Sequence, residues 1–333
     1  MRPLRLLLRA LLLPLPIAGC SDPLVGESEE APVPSASVAQ AFAAATTTPT
    51  ALNPERVTDR FATPGGTLSV LPIEHASFVL GWEGKAFYFD PSGRSVGDPA
   101  LPVADAILIT DPHYDHLDPV QLARLRAPRA VVVGPEAAAE RAPMDVVLRN
   151  GERRTVLGVE VTAVPSYNVT RGPVAGLRYH DRGRDSGYVL DFGGLRVYVS
   201  GDTDCTPEIE ALEHVDVAFI GMNVPYAMTP AEASRCIGAF HPRVVIPYAY
   251  RHADMSTLDR AAMGPGVDVR RPDFYLPVEL LRQHAYQVFT QGMWGWADDL
   301  LDLAKIRDPQ GDTDWRVQMT RRWLKEYEHQ WPF

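Results

Sequence analysis

The chain has 333 residues, 46% hydrophobic and 22% charged, so it can bury a sizeable core in one large domain or two smaller ones. Its formal net charge of −10 leaves no basic footprint for nucleic acid and speaks weakly against attraction to anionic membranes.

Arg2, Arg5 and Arg9 precede the apolar run "ALLLPLPIA", which ends at Gly19-Cys20. A charged segment, a short apolar segment and small residues at its end describe a secretory signal, and the run is too short to span a bilayer. "IAGC" resembles a bacterial lipobox, which implies a leader at 1–20, lipidation at Cys20 and a mature protein exported to the cell envelope, with the outer membrane favoured. The alternative is an ordinary signal peptide with a chance cysteine. Residues 21–66, rich in Ala, Pro, Ser, Thr and Glu, read as a flexible tether.

Short β-type runs follow: "TLSVLPI", "ASFVLGW", "KAFYFDP" and "DAILITD". "DPVQLARLRA" predicts a helix capped by Asp118 with Pro119 at its first position, and "AVVVGP" and "EAAAERA" predict a strand and a short helix. A second series repeats the pattern, with strands "VEVTAVPS", "DSGYVLDFGG", "LRVYVSGD", "VDVAFIG" and "RVVIPYAY". The helices "TPEIEALE" and "TPAEASRCIGAF" fall among its later strands. The series predict an α/β fold of two packed sheets with helices outside. Cys205 and Cys236 either pair or stay as separate buried thiols.

Polar candidates sit where these strands end. "ILITDPHYDHLDP" runs from a buried strand straight into Asp111, His113, Asp115 and His116, and "SGDTD" places Asp202 just after a glycine. Imidazole nitrogen and carboxylate oxygen are the donors a zinc-like ion prefers, and loops on a rigid scaffold are where chemistry is usually placed.

"LITDPHYDHLDP", "VPSYNV", "SGYVLDFGGLRVYVSGDTD" and "VVIPYAYR" together resemble the metallo-β-lactamase superfamily. Within it they resemble the branch of bacterial lactonase-like and phospholipase-D-like metal-dependent hydrolases. The resemblance spans about residues 67–275 and implies an αββα sandwich with one or two divalent metal ions between the sheets, zinc first, with manganese or iron as alternatives. Carried over residue by residue, it implies that His113 binds a first ion, Asp115 and His116 a second, and that Asp202 bridges them. Asp111 and Asn168 stand where relatives carry histidines. A water activated by the metal would attack a carbonyl or phosphoryl centre, with Asp111 and Asp115 as the catalytic carboxylates and Asp115 relaying a proton. The implied substrate is a small or lipid-like ester, lactone or phosphodiester.

Ala249 departs most sharply, standing where the pattern expects a histidine, so the second ion loses a ligand. His252 is a candidate substitute. His180 reads as either a substrate contact or a structural hydrogen-bonding group, Tyr167 and Tyr226 as groove lining or structural, and His75 as packing near the site. Ala249 also supports an alternative function, a weakened relative that binds a ligand or partner in the envelope without turnover.

Residues 276–333 read as a helical, Trp-rich extension, with Trp315, Met319, Trp323, Tyr327 and Trp331 on one slanted stripe. The stripe is read as a helix docked on the hydrolase domain, a lid, a partner surface or a membrane contact.

Overall fold

The computed structural model describes residues 52–92, 101–251 and 253–275, and beyond them 282, 285–286, 289, 297–298, 301–302, 304–305 and 315–327. Cys20 and His252 lie outside these residues. The first half contains strands β1 (Asp59–Thr63), β2 (Gly66–Glu74), β3 (Ser77–Trp82), β4 (Lys85–Phe89) and β5 (Ala104–Leu108), helix α1 (Pro119–Leu125), β6 (Arg126–Gly134), α2 (Glu136–Ala139) and β7 (Val146–Val147). These strands form one sheet in chain order, antiparallel from β1 to β4 and parallel from β4 to β7.

The second half repeats this plan. Strands β8 (Arg153–Val156), β9 (Val159–Ser166), β10 (Asp185–Phe192) and β11 (Leu195–Val199) are antiparallel. After α3 (Pro207–Glu210) come β12 (Val217–Gly221), α4 (Pro230–Phe240), β13 (Val244–Tyr248), α5 (Arg260–Met263) and β14 (Asp268–Val269), and β11 to β14 are parallel. A last helix, α6, covers Trp315–Tyr327.

Two-residue periodicity explains the layers, because alternate side chains of a strand face opposite sides of the sheet. In β4, Phe87 and Phe89 enter the cluster between the sheets, while Ala86 and Tyr88 pack with Leu117, Leu122, Leu125 and Ala138 around α1 and α2. In β10, Tyr188, Leu190 and Phe192 face the other sheet, while Val189 joins Ile209, Ile237 and Met263 beneath α3, α4 and α5. The result is the expected αββα sandwich. Phe78 of β3 stacks on Phe89 at 4.7 Å and on Phe219 of β12 at 4.4 Å, which couples the two sheets through one ring.

The helix ends follow local rules. Asp118 accepts the backbone N–H groups of Val120 and Gln121, and Thr229 and Glu232 form a reciprocal capping box at α4. Cys205 and Cys236 are disulfide-bonded, which fastens the segment after β11 to α4.

Two expectations need correction. The tether does not extend to residue 66, because Asp59–Thr63 pair with β2 as an edge strand. Among the described side chains of α6, Val317, Thr320 and Leu324 are buried, while Trp323 is 43% exposed. A strict four-residue stripe drifts around a helix with 3.6 residues per turn, whereas a face mixing spacings of three and four stays on the core. The side chains of Trp315, Tyr327 and Trp331 lie outside the described residues.

Candidate metal centre

Parallel strands deliver their carboxyl ends to one edge of each sheet, where open α/β folds place their ligands. Asp90 follows β4, the segment Thr110–His116 follows β5, Asp202 follows β11, Asn223 follows β12, and Ala249 and Arg251 follow β13. Gly201 brings the two sheets' loops together. It has φ 65°, and a Cβ there would stand 3.1 Å from the Cβ of Thr110, so a side chain at 201 would push Asp202 away.

Two donor sets converge on Asp111: Asp111 with His113 and His180, and Asp111 with His116 and Asp202. Asp111 Oδ2 lies 3.6 Å from His116 Nε2 and 3.5 Å from His180 Nε2, and Asp202 Oδ2 lies 3.6 Å from His116 Nε2. His113 Nδ1 is 3.0 Å from Asp111 Oδ1. Asp111 Oδ2, His116 Nε2 and Asp202 Oδ1 are buried and have no hydrogen-bond partner. Such atoms are costly to leave unmet, and three in one cluster fit a bound cation.

Protein groups aim these donors from behind. Asp90, fully buried, accepts Thr110 N–H and Thr110 O–H, each at 2.7 Å, and stands 2.8 Å from His116 Nδ1. That arrangement assigns the proton to Nδ1 and turns the Nε2 lone pair into the site, the carboxylate–histidine pairing found behind metal ligands. Asn168 does the same for His180. Its Oδ1 accepts His180 N–H at 3.0 Å and lies 3.1 Å from His180 Nδ1. Asn223 Nδ2 donates to Asp202 Oδ2 at 2.7 Å.

The electrostatics call for positive charge. Burial opposes a charged His116, but the carboxylates of Asp111, Asp90, Asp115 and Asp202 outweigh it and hold that imidazole well above its ordinary pKa. Burial likewise disfavours a charged His180, yet the facing carboxylate of Asp111 and then the charges of Asp202 and Asp185 raise it to about 9. Burial pushes Asp111 up, but His116, His113 and His180 hold it well below the usual carboxylate range. Without an ion, protons supply the charge the carboxylates require. A divalent cation would displace them. Asp185 at the start of β10 is buried with neither oxygen hydrogen-bonded and is raised to about 7, by burial first and then by Asp111.

The donor sets differ from the ligands that the resemblance implied. His113, His116, Asp111 and Asp202 come together. Asp115 joins neither set, because its Oδ2 faces His75 Nε2 at 3.2 Å and Arg251 Nη2 at 3.6 Å. Asn168 is not among the donors either, since its Nδ2 donates to Tyr226 O at 2.7 Å and its Oδ1 is held by His180. The histidine expected at 168 is thus replaced in space by one twelve residues later.

Tyr167 is buried and donates to Glu208 at 3.0 Å, away from a groove-lining role, whereas Tyr226 is half-exposed with its ring 4.9 Å from Tyr179. His75 packs beside the site, with Nδ1 3.0 Å from Tyr275 Oη and a pKa lowered to about 4, chiefly by burial and then by Arg251. Asp90, Asn223 and Arg251 also belong to the site, although no metal-ligand motif points to them. Asp90 carried a readable signal, an aspartate ending the buried run "KAFYFDP" as Asp111 ends "AILIT".

Together, the two facing sheets and the Asp/His cluster at their strand ends define a metallo-β-lactamase-type sandwich. The chain belongs to the β-lactamase superfamily, whose domain matches residues 70–249. A UPF0173 metal-dependent hydrolase of Thermococcus kodakarensis is 29% identical over 191 residues, covering 54% of this chain and 82% of that protein. Another, from Pyrobaculum arsenaticum, is 31% identical over 199 residues, covering 53% and 81%. Among solved structures, a Parabacteroides distasonis protein assigned as a metal-dependent hydrolase superposes with a TM-score of 0.61 at 35% identity, covering 65% of this chain and 98% of that one. The metallo hydrolase Igni18 of Ignicoccus hospitalis shares the fold, with a TM-score of 0.51 at 18% identity over 62% of this chain and 95% of that one.

Proposed function

We propose that this protein is a metal-dependent hydrolase of an ester, lactone or phosphodiester, with Asp111, His116 and Asp202 holding a divalent ion, zinc in first place, and His113 and His180 closing on it from the other side of Asp111. The observation that carries this reading is the trio of buried atoms without a hydrogen bond, Asp111 Oδ2, His116 Nε2 and Asp202 Oδ1. The ion would supply Lewis acidity and a water with a lowered pKa. The chain's own part is orientation. Asp90 fixes the His116 tautomer, Asn168 fixes that of His180, and Asn223 holds Asp202.

A substrate with an apolar arm belongs to this reading, because exposed apolar side chains flank the donors in the chain. Tyr114 beside His113 is 53% exposed, and Val174 and Leu177, in the loop between Asn168 and His180, are 62% and 58% exposed. A second reading, ligand binding without turnover, is favoured by the engagement of Asp115 with His75 and Arg251.

The test is metal analysis of the purified protein, followed by assays with p-nitrophenyl esters, simple lactones and bis(p-nitrophenyl) phosphate. One of these substrates should turn over, and His116→Ala should abolish both metal and turnover. Protein that retains no metal and melts identically with and without zinc or manganese defeats the hydrolase reading. Metal retention without hydrolysis of any substrate class favours the binding reading.

A further inference from the structure

Asp115 carries a partly buried negative charge, its side chain 14% exposed, within the same strand-end cluster, yet it faces the Arg251 guanidinium and the His75 imidazole rather than the donor sets. Its Oδ2 lies 3.6 Å from Arg251 Nη2 and 3.2 Å from His75 Nε2. His75 is fixed from its other side by Tyr275 Oη, 3.0 Å from Nδ1. With the Tyr275 hydroxyl donating to Nδ1, the His75 proton sits on Nε2 and points at Asp115, so that nitrogen has no lone pair for an ion.

The backbone accounts for this arrangement. Ala249, fully buried with φ 50°, donates its N–H to His75 O at 3.2 Å, tying the end of β13 to the turn between β2 and β3. Position 249 can offer no donor atom beyond its backbone. Two residues later, Arg251 returns over Asp115 with its side chain 8% exposed. A guanidinium is permanently charged and presents donors in a planar fork suited to a carboxylate.

We propose that Asp115 is not a metal ligand in this protein, and that the Arg251 guanidinium, backed by His75, stands as a built-in cation in place of a second ion, confining metal to the Asp111 side. The proposal rests on the hydrolase reading for the existence of that metal. A second divalent ion at Asp115 would have to displace Arg251 or bind against its charge. A guanidinium neutralises the carboxylate without exchanging with solvent. This pole of the site is therefore set by the chain rather than by metal supply.

The experiment measures zinc equivalents and affinity in the purified protein, by elemental analysis after desalting and by competition with a chromogenic chelator. Asp115→Asn should keep the wild-type number of equivalents with a Kd within about two-fold, while Asp202→Asn weakens binding about tenfold or more. Arg251→Ala should take up one equivalent more than the wild type, and Arg251→Lys should not, because it keeps the charge. If Arg251→Ala does not fold, the Asp115→Asn comparison alone decides. Loss of metal in Asp115→Asn to the degree seen in Asp202→Asn overturns the inference and leaves the hydrolase reading standing. A wild type that binds no metal overturns both, since a centre on the Asp111 side must first exist.

Discussion

Asp90→Asn tests how the site is aimed, because it replaces one oxygen by an amide nitrogen and changes little else in shape. Asp90 Oδ1 accepts Thr110 N–H, and Oδ2 faces both Thr110 Oγ1 and His116 Nδ1. In the variant the amide oxygen must stay on Thr110 N–H, since the opposite flip sets two donors against each other. The amide nitrogen then faces Thr110 Oγ1 and His116 Nδ1 as a donor. His116 Nδ1 must become an acceptor, and its proton moves to Nε2, the atom that faces Asp111 and Asp202 at 3.6 Å each. The ligand lone pair is lost without any change in the imidazole's position.

Removing a carboxylate behind a metal-bound histidine typically weakens metal binding ~10–100-fold. That is about 1.4–2.7 kcal/mol, and by linkage the stabilisation conferred by saturating zinc should shrink by the same amount. Chelator competition gives the Kd, urea unfolding with and without zinc gives the stability gap, and nitrogen NMR of the histidines reports the tautomer. A zinc Kd unchanged within two-fold, or a proton still on Nδ1 in the variant, would refute the reasoning.

Three further outcomes are expected. In metal-free protein, His180 at about 9 and the strongly raised His116 both lie above an unfolded value of about 6.5, so their contribution is complete below pH 6.5 and is lost as pH rises through the folded values. Apo stability should therefore fall between pH 6.5 and 9, by up to about 3 kcal/mol for His180 alone, and zinc should lessen the fall; a flat apo profile in urea unfolding contradicts this. Phe78→Ala should cost about 3–5 kcal/mol, because it opens a cavity between rings of both sheets, and a loss under 1 kcal/mol in chemical denaturation would mean the sheets close over it. If Cys20 is lipidated, Cys20→Ser should move the protein from the membrane to the soluble envelope fraction, and unchanged fractionation with no lipid on the wild type rules out the anchor.

Much of the fold was legible because short apolar runs closed by Asp, Gly or Pro, proline-led helix starts and Asp or Thr caps are local physics. "KAFYFDP" is a short apolar, aromatic-rich run closed by Asp-Pro, the mark of a strand buried on both faces, and Asp118 and Thr229 cap the helices their neighbours predict. The sequence alone also placed Asp111, His113, His116 and Asp202 at strand ends, since a polar residue closing a buried run has few other uses.

Tertiary structure decided which way each side chain turns. Asn168 looked like a ligand by its place in the motif, yet it holds His180, because the loop between them closes with Asn168 N–H on His180 O at 2.9 Å. Asp115, adjacent to His116 in sequence, faces His75 and Arg251, residues 40 and 136 positions away in the chain. Asp90 supports His116 from the end of a neighbouring strand. The pairing of Cys205 with Cys236, across a separation of 31 residues, was open until α4 was packed on its sheet. Local spacing determines where a donor leaves the backbone. The partner that satisfies it comes from distant segments, and burial makes that partner obligatory, because a buried charge or imidazole must be met by whatever the packed sheets bring within about 3–4 Å of it.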